Sequence, residues 1–199
     1  TYQGKVLATS RAALWIKPIN EVPLDISILD TYKAAFPKIA QYYLSNYTFD
    51  YYNNNDEAVA LIALGESRKH LPAGTLRDQV DIKIQFLADI LRARQSIEGG
   101  WSWVGKADSK NNTSAYSNTN AYKPDPLMTA LVGIALEYTS PSKQDPMVRN
   151  AITYLLNTQL ANGTWKTKTS LYTTDLGTTS LVMVYLPKAI ERLGGLDLK

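Results

Sequence analysis

Gln159-Leu160-Ala161-Asn162-Gly163-Thr164-Trp165 and the earlier Gln95-Ser96-Ile97-Glu98-Gly99-Gly100-Trp101 are written to one plan, Gln-x-x-x-Gly-x-Trp. Each stretch closes an apolar periodic run and is followed by a polar loop and then a second such run. Repetition of this kind predicts stacked helix pairs, because one pair cannot bury its apolar face alone. The parallel extends past the two motifs. Ala58-Val59-Ala60-Leu61-Ile62-Ala63-Leu64 matches Ala130-Leu131-Val132-Gly133-Ile134-Ala135-Leu136. Asp125 and Thr129 are spaced as Asp175 and Thr179, and Asp81 and Leu91 stand before the first motif as Asp145 and Leu155 stand before the second.

Working outward, the unit reads as an outer amphipathic helix, the Gln-to-Trp turn, a loop and a more apolar inner helix. Three such pairs are expected, over 24–69, 75–138 and 145–193. In the first, Ile26, Leu29, Ala35, Ile39, Tyr43 and Leu44 mark one helix face, and Pro37 is expected to kink or split it. Asn46 to Asn55 reads as a loop, with Asp56 as the N-cap of the helix that follows. Thr75 to Arg94 is amphipathic through Val80, Ile84, Leu87, Ile90 and Leu91. Asp125-Pro126 and Asp145-Pro146 each place a capping carboxylate before a proline suited to a first helical turn. Thr174-Asp175 is expected to start the last helix, with Pro187 kinking it and Gly194-Gly195 ending it. Residues 1–23 carry Pro18 and Pro23 and read as an extended N-terminal segment or linker, leaving 24–199 as the helical domain.

Composition narrows the function classes. The 199 residues suit one domain with a substantial core. No apolar run nears the roughly 18 residues of a membrane span. The net charge of +3 comes from scattered basic residues, so no phosphate-tracking run is present and nucleic acid is not expected as a partner. The absence of cysteine excludes disulfides, thiolate zinc ligands and a cysteine nucleophile. Asn46, Asn111, Asn112 and Asn162 each begin an Asn-x-Ser/Thr triplet, a pattern that arises easily in Asn- and Thr-rich loops. That polar-aromatic loop character leans toward an extracellular or cell-surface setting, and the chain reads as a processed or partial sequence.

The segment from Asp145 through Tyr154, Leu155 and Gln159 to Trp165 resembles the repeat of the squalene cyclase and protein prenyltransferase superfamily. There an aromatic-aliphatic helix runs into Gln, Gly and Trp at similar spacing. The resemblance covers roughly residues 56–193. It implies an all-α fold, an α/α toroid or partial toroid of about three helix pairs, with Gln95, Gly99, Trp101, Gln159, Gly163 and Trp165 as structural motif residues that tie neighbouring helices together. A full ring of the superfamily holds more pairs, so the resemblance implies an arc, a small barrel, or half of a ring completed by another protein chain or domain. The catalytic signatures of the superfamily do not follow. No Asp-x-Asp-Asp occurs, and the zinc sites of prenyltransferases and lanthionine cyclases and the thioester of complement-like domains all need cysteine.

Candidate residues follow from the loops and helix starts. Asp56, Asp125 and Asp175 precede inner helices and would gather at one mouth, either as N-caps or as an acidic cluster. Trp103, Tyr116 and Tyr122 could form an aromatic rim for a small apolar or carbohydrate ligand, while Tyr172 lies in another inter-helix loop. Asp108, Asn111 and Asn112 lack the spacing and glycine of a calcium loop, and His70 stands at a helix end where a dipole interaction explains it. No metal site and no cofactor is expected. The reading is a non-catalytic or degenerate toroid domain with a ligand-binding, interaction or structural role. The alternatives are a terpenoid cyclase fragment, or a pectate-type lyase using calcium and an arginine such as Arg92, Arg94 or Arg149.

Overall fold

The computed structural model describes residues 26–46, 53–105, 119–139, 145–168 and 175–194. Within them the fold is all-α. Six helices are present: α1 (Ile26–Asn46), α2 (Asn54–His70), α3 (Thr75–Ala93), α4 (Pro126–Leu136), α5 (Pro146–Asn157) and α6 (Asp175–Arg192). Short 3₁₀ turns at Thr119–Tyr122 and Glu137–Thr139 flank α4.

The helices form a row with a second layer. α1 packs on α2, α2 on α4, and α4 on α6. α3 lies against α2 and α4, and α5 lies against α4 and α6. Burial follows this layout. α2 is buried on every side from Glu57 to Ser67, as a central helix should be. α3 buries only Val80, Ile84, Leu87, Ala88 and Leu91, and α5 buries Val148, Ala151, Ile152, Tyr154 and Leu155; both are one-faced stripes at helical spacing. One apolar core runs through α1 to α6, with Trp101 and Trp165 among its largest fully buried side chains.

Some boundaries differ from the sequence reading. α2 begins three residues earlier than expected, because the side chain of Asn53, not Asp56, caps it by accepting from the Asn55 N–H. Asp56 sits in the first turn, where its charge still favours the positive end of the helix dipole. α1 is continuous through Pro37. The proline removes one backbone bond, but Tyr32, Phe36, Ala40 and Tyr43 bury one face across it. α6 is likewise continuous through the exposed Pro187. Asp125 and Asp145 cap α4 and α5 as expected, each with proline in the first turn. His70 ends α2, but its ring stacks on Phe36 at 4.1 Å and meets the edge of Tyr32, so aromatic packing holds it as well as the helix dipole.

Candidate functional site

The two Gln-to-Trp stretches fold into the same corner. In the first, the Gln95 side-chain amide donates to the Gly99 carbonyl at 2.8 Å, and the Trp101 indole N–H donates to Leu91 O at 2.6 Å. In the second, Gln159 donates to Gly163 O at 2.9 Å and the Trp165 indole to Leu155 O at 2.6 Å. The backbone N–H of each tryptophan donates to a threonine hydroxyl on the next inner helix, Thr129 and Thr179 respectively. The corner therefore satisfies the carbonyl ends of one helix and fastens them to the next.

The corners differ in what lies beyond them. Gln95 has a second bond, to Met147 O in the first turn of α5, at 2.9 Å. Gly99 lies so close to α5 that a Cβ would overlap the Asn150 carbonyl. Gln159 is exposed, and no described atom lies within 4 Å of where a Cβ at Gly163 would stand.

The starts of α2 and α4 do meet at one end. Asn54 N–H donates to Trp103 O and Asp125 N–H to Trp101 O, so the segment around Trp101 to Gly105 holds both helix N-termini. Asp125 is fully buried there. One of its carboxylate oxygens caps Leu127 and Met128; the other accepts from the Thr167 hydroxyl at 2.7 Å and the Lys168 N–H at 2.6 Å. With both oxygens occupied, its role in this geometry is to join α4 to the second corner. Asp56 is half-buried in α2's first turn. Asp175 opens α6, and its side chain lies outside the described set. Trp103 packs half-buried against the core, and Tyr122 closes a 3₁₀ turn tied to it through Val104 N–H to Ala121 O. Tyr116, Tyr172, Asp108, Asn111 and Asn112 fall outside the described residues.

Next to Asp125's end lies a buried charged pair: Arg94, named in the sequence only as an arginine a lyase could use, and Glu57, which the sequence reading did not single out. Arg94 is nearly buried and donates to Glu57 at 3.1 Å and to Asn54 at 2.8 Å. Asn54 in turn donates to Ser102 O and Gly105 O. Burial pushes the Glu57 carboxyl up to about 8, against the pull of Arg94. The pair stands where the following repeat has Thr129 and Thr158, so comparing the repeats position by position exposes it.

At the opposite end, the last turns of α2 and α4 and the middle of α6 surround a pocket of about 310 Å³. Arg68, Lys69, Tyr138 and Lys188 line it, with Ile134, Val184 and Tyr185. Tyr138 donates its hydroxyl to Glu66, and burial together with that bond raises its pKa out of the physiological range. Among the described residues no three His, Asp or Glu side chains gather as a metal ligand set would, and no helix is long and apolar enough to cross a membrane.

No protein-family model matches this sequence, and comparison with curated proteins finds no match either.

Proposed function

We propose that this chain is a non-catalytic, squalene cyclase-like α/α-toroid domain, a partial ring of three helix pairs whose α5–α6 end receives helices from another protein chain or domain. The observation that carries this reading is the contrast between the two corners. At Gln95 and Gly99 the next outer helix is seated; at Gln159 and Gly163 no described residue is seated on the same corner geometry. The inner layer tells the same story. α6 exposes Leu176 (77%) and Met183 (54%), seven residues apart and so on one helix face. α1, at the other end of the row, exposes Thr31, Lys33, Lys38 and Gln41 instead. A repeat array needs a polar cap at each end; the exposed described residues of α1 are mostly polar, although Ile82 and Phe86 of α3 beside it are exposed too, whereas α6 exposes Leu176 and Met183. The reading as non-catalytic is supported by the full engagement of Asp125 and by the missing superfamily signatures.

The test is sedimentation velocity of the wild-type chain beside a Leu176→Glu/Met183→Glu variant. Both positions are exposed, so the variant should fold as the wild type does. The bare wild-type end is expected to self-associate with rising concentration, and the charged variant to stay monomeric. A wild type that remains monomeric at NMR concentrations, with no solubility gained by the variant, would remove the support for an uncapped end.

A further inference from the structure

We infer that the pocket between α2, α4 and α6 binds a small amphiphilic monoanion, with an apolar body and one carboxylate-like head. The site is independent of the α5–α6 corner, and the inference does not need the toroid reading. Its volume of about 310 Å³ is at the lower end of the range of small-molecule pockets. Two close helix contacts shape it. Gly65 lets Tyr138 lie against α2, since a Cβ there would come within 2.7 Å of the Tyr138 Cβ. Gly133 lets Tyr185 lie against α4 in the same way, with the ring Cε1 2.7 Å from a notional Cβ. The walls thus present ring surface together with Ile134 and Val184.

Charge decides the other half of the ligand. Arg68 is paired with Asp81, Lys69 with Glu66, and Glu137 with Arg192. Lys69 also sits over the Tyr138 ring at 4.8 Å. Lys188 has no ion-pair partner among the described residues and lies on the pocket wall. The wall therefore carries one cation in excess. A cationic ligand would meet Arg68, Lys69 and Lys188 unfavourably, and a neutral apolar one would leave Lys188 unused. A single anionic head beside Lys188, with the apolar body against Tyr138, Ile134 and Val184, satisfies both halves. The Tyr138 hydroxyl is committed to Glu66, so the head has to be held by the cations.

Decanoate, decanol and sulfate are the probes, added to the full ¹⁵N-labelled chain and followed by amide chemical shifts. Decanoate is expected to move the amides of Arg68, Ile134, Tyr138 and Lys188, decanol to bind more weakly, and sulfate alone to leave them in place. Lys188→Glu should weaken decanoate about tenfold, the loss of one charge-assisted contact. Leu176→Glu/Met183→Glu should leave decanoate binding unchanged, which separates this pocket from the docking face. Equal binding of decanol and decanoate, an unaltered affinity in Lys188→Glu, or shifts confined to Leu176 and Met183 would each overturn the assignment.

Discussion

Replacing Gly99 and, separately, Gly163 with alanine isolates what α5 adds to the first corner. Both glycines have positive φ, 93° and 81°. An alanine at either position therefore meets the same backbone penalty, about 1–2 kcal/mol. Beyond that the sites diverge. At Gly99 the new Cβ would lie 2.7 Å from the Asn150 carbonyl carbon and closer still to its oxygen. This is helix backbone, so relief requires α5 to move from the seat where Val148, Ile152 and Leu155 are buried. Overpacking against a contact that cannot yield adds about 1–3 kcal/mol. Gly99→Ala should thus lose about 3 kcal/mol or more, and Gly163→Ala only the backbone share. Urea unfolding measures both, with the buried Trp101 and Trp165 as fluorescence probes and the midpoints compared at unchanged slope. Equal losses in the two variants would refute the claim that α5 is seated on the first corner and no described residue on the second.

Three further expectations use the same assay. Gln95→Ala breaks the bond to Met147 O as well as the local one and should cost about 1 kcal/mol, while Gln159→Ala should change stability by less than about 0.5 kcal/mol; the reverse order would contradict the corner geometry. Asp125→Ala removes a helix cap and two further bonds in a buried setting and should cost about 3 kcal/mol, whereas a loss near zero would free Asp125 for a chemical role. Glu57 holds its proton up to about 8 in the folded chain against an ordinary value of 4.5. Its contribution to stability is therefore fully present below pH 4.5 and is lost as pH rises toward about 8. Glu57→Gln should flatten that part of the pH–stability curve, and a curve unchanged by the substitution would mean that Arg94 keeps the carboxylate ionised.

What could be read from the sequence was whatever repeated or obeyed a local rule. Gln-x-x-x-Gly-x-Trp stood out because it occurs twice, and the amide-to-Gly, indole-to-Leu and Trp N–H-to-Thr bonds of the two copies match. Asp125-Pro126 and Asp145-Pro146 were legible because a cap and a first-turn proline act within one helical turn. Asp56 was misplaced because Asn53, Asn54, Asn55 and Asp56 are all good caps, and local chemistry does not choose among them. The choice is made at a distance: Asn54 is drawn inside by Ser102 O and Gly105 O, which leaves Asn53 at the boundary. The split allowed for at Pro37 does not occur, since packing along the helix outweighs one missing backbone bond. The pocket left no trace in any single segment. Its walls come from residues near 65–69, 134–138 and 184–188, and only the stacking of α2, α4 and α6 brings them together.

The unequal ends of the row imply a direction for melting. α2 is enclosed by α1, α3 and α4, while among the described residues α6 leans only on α4 and α5 and exposes Leu176 and Met183. In an array where neighbours hold neighbours, opening starts where a unit has fewest of them. Amide protons of α6 and α5 should exchange first and those of α2 last, so that thermal fluctuations unzip the chain from its C-terminal side, and whatever binds there would act as the clasp.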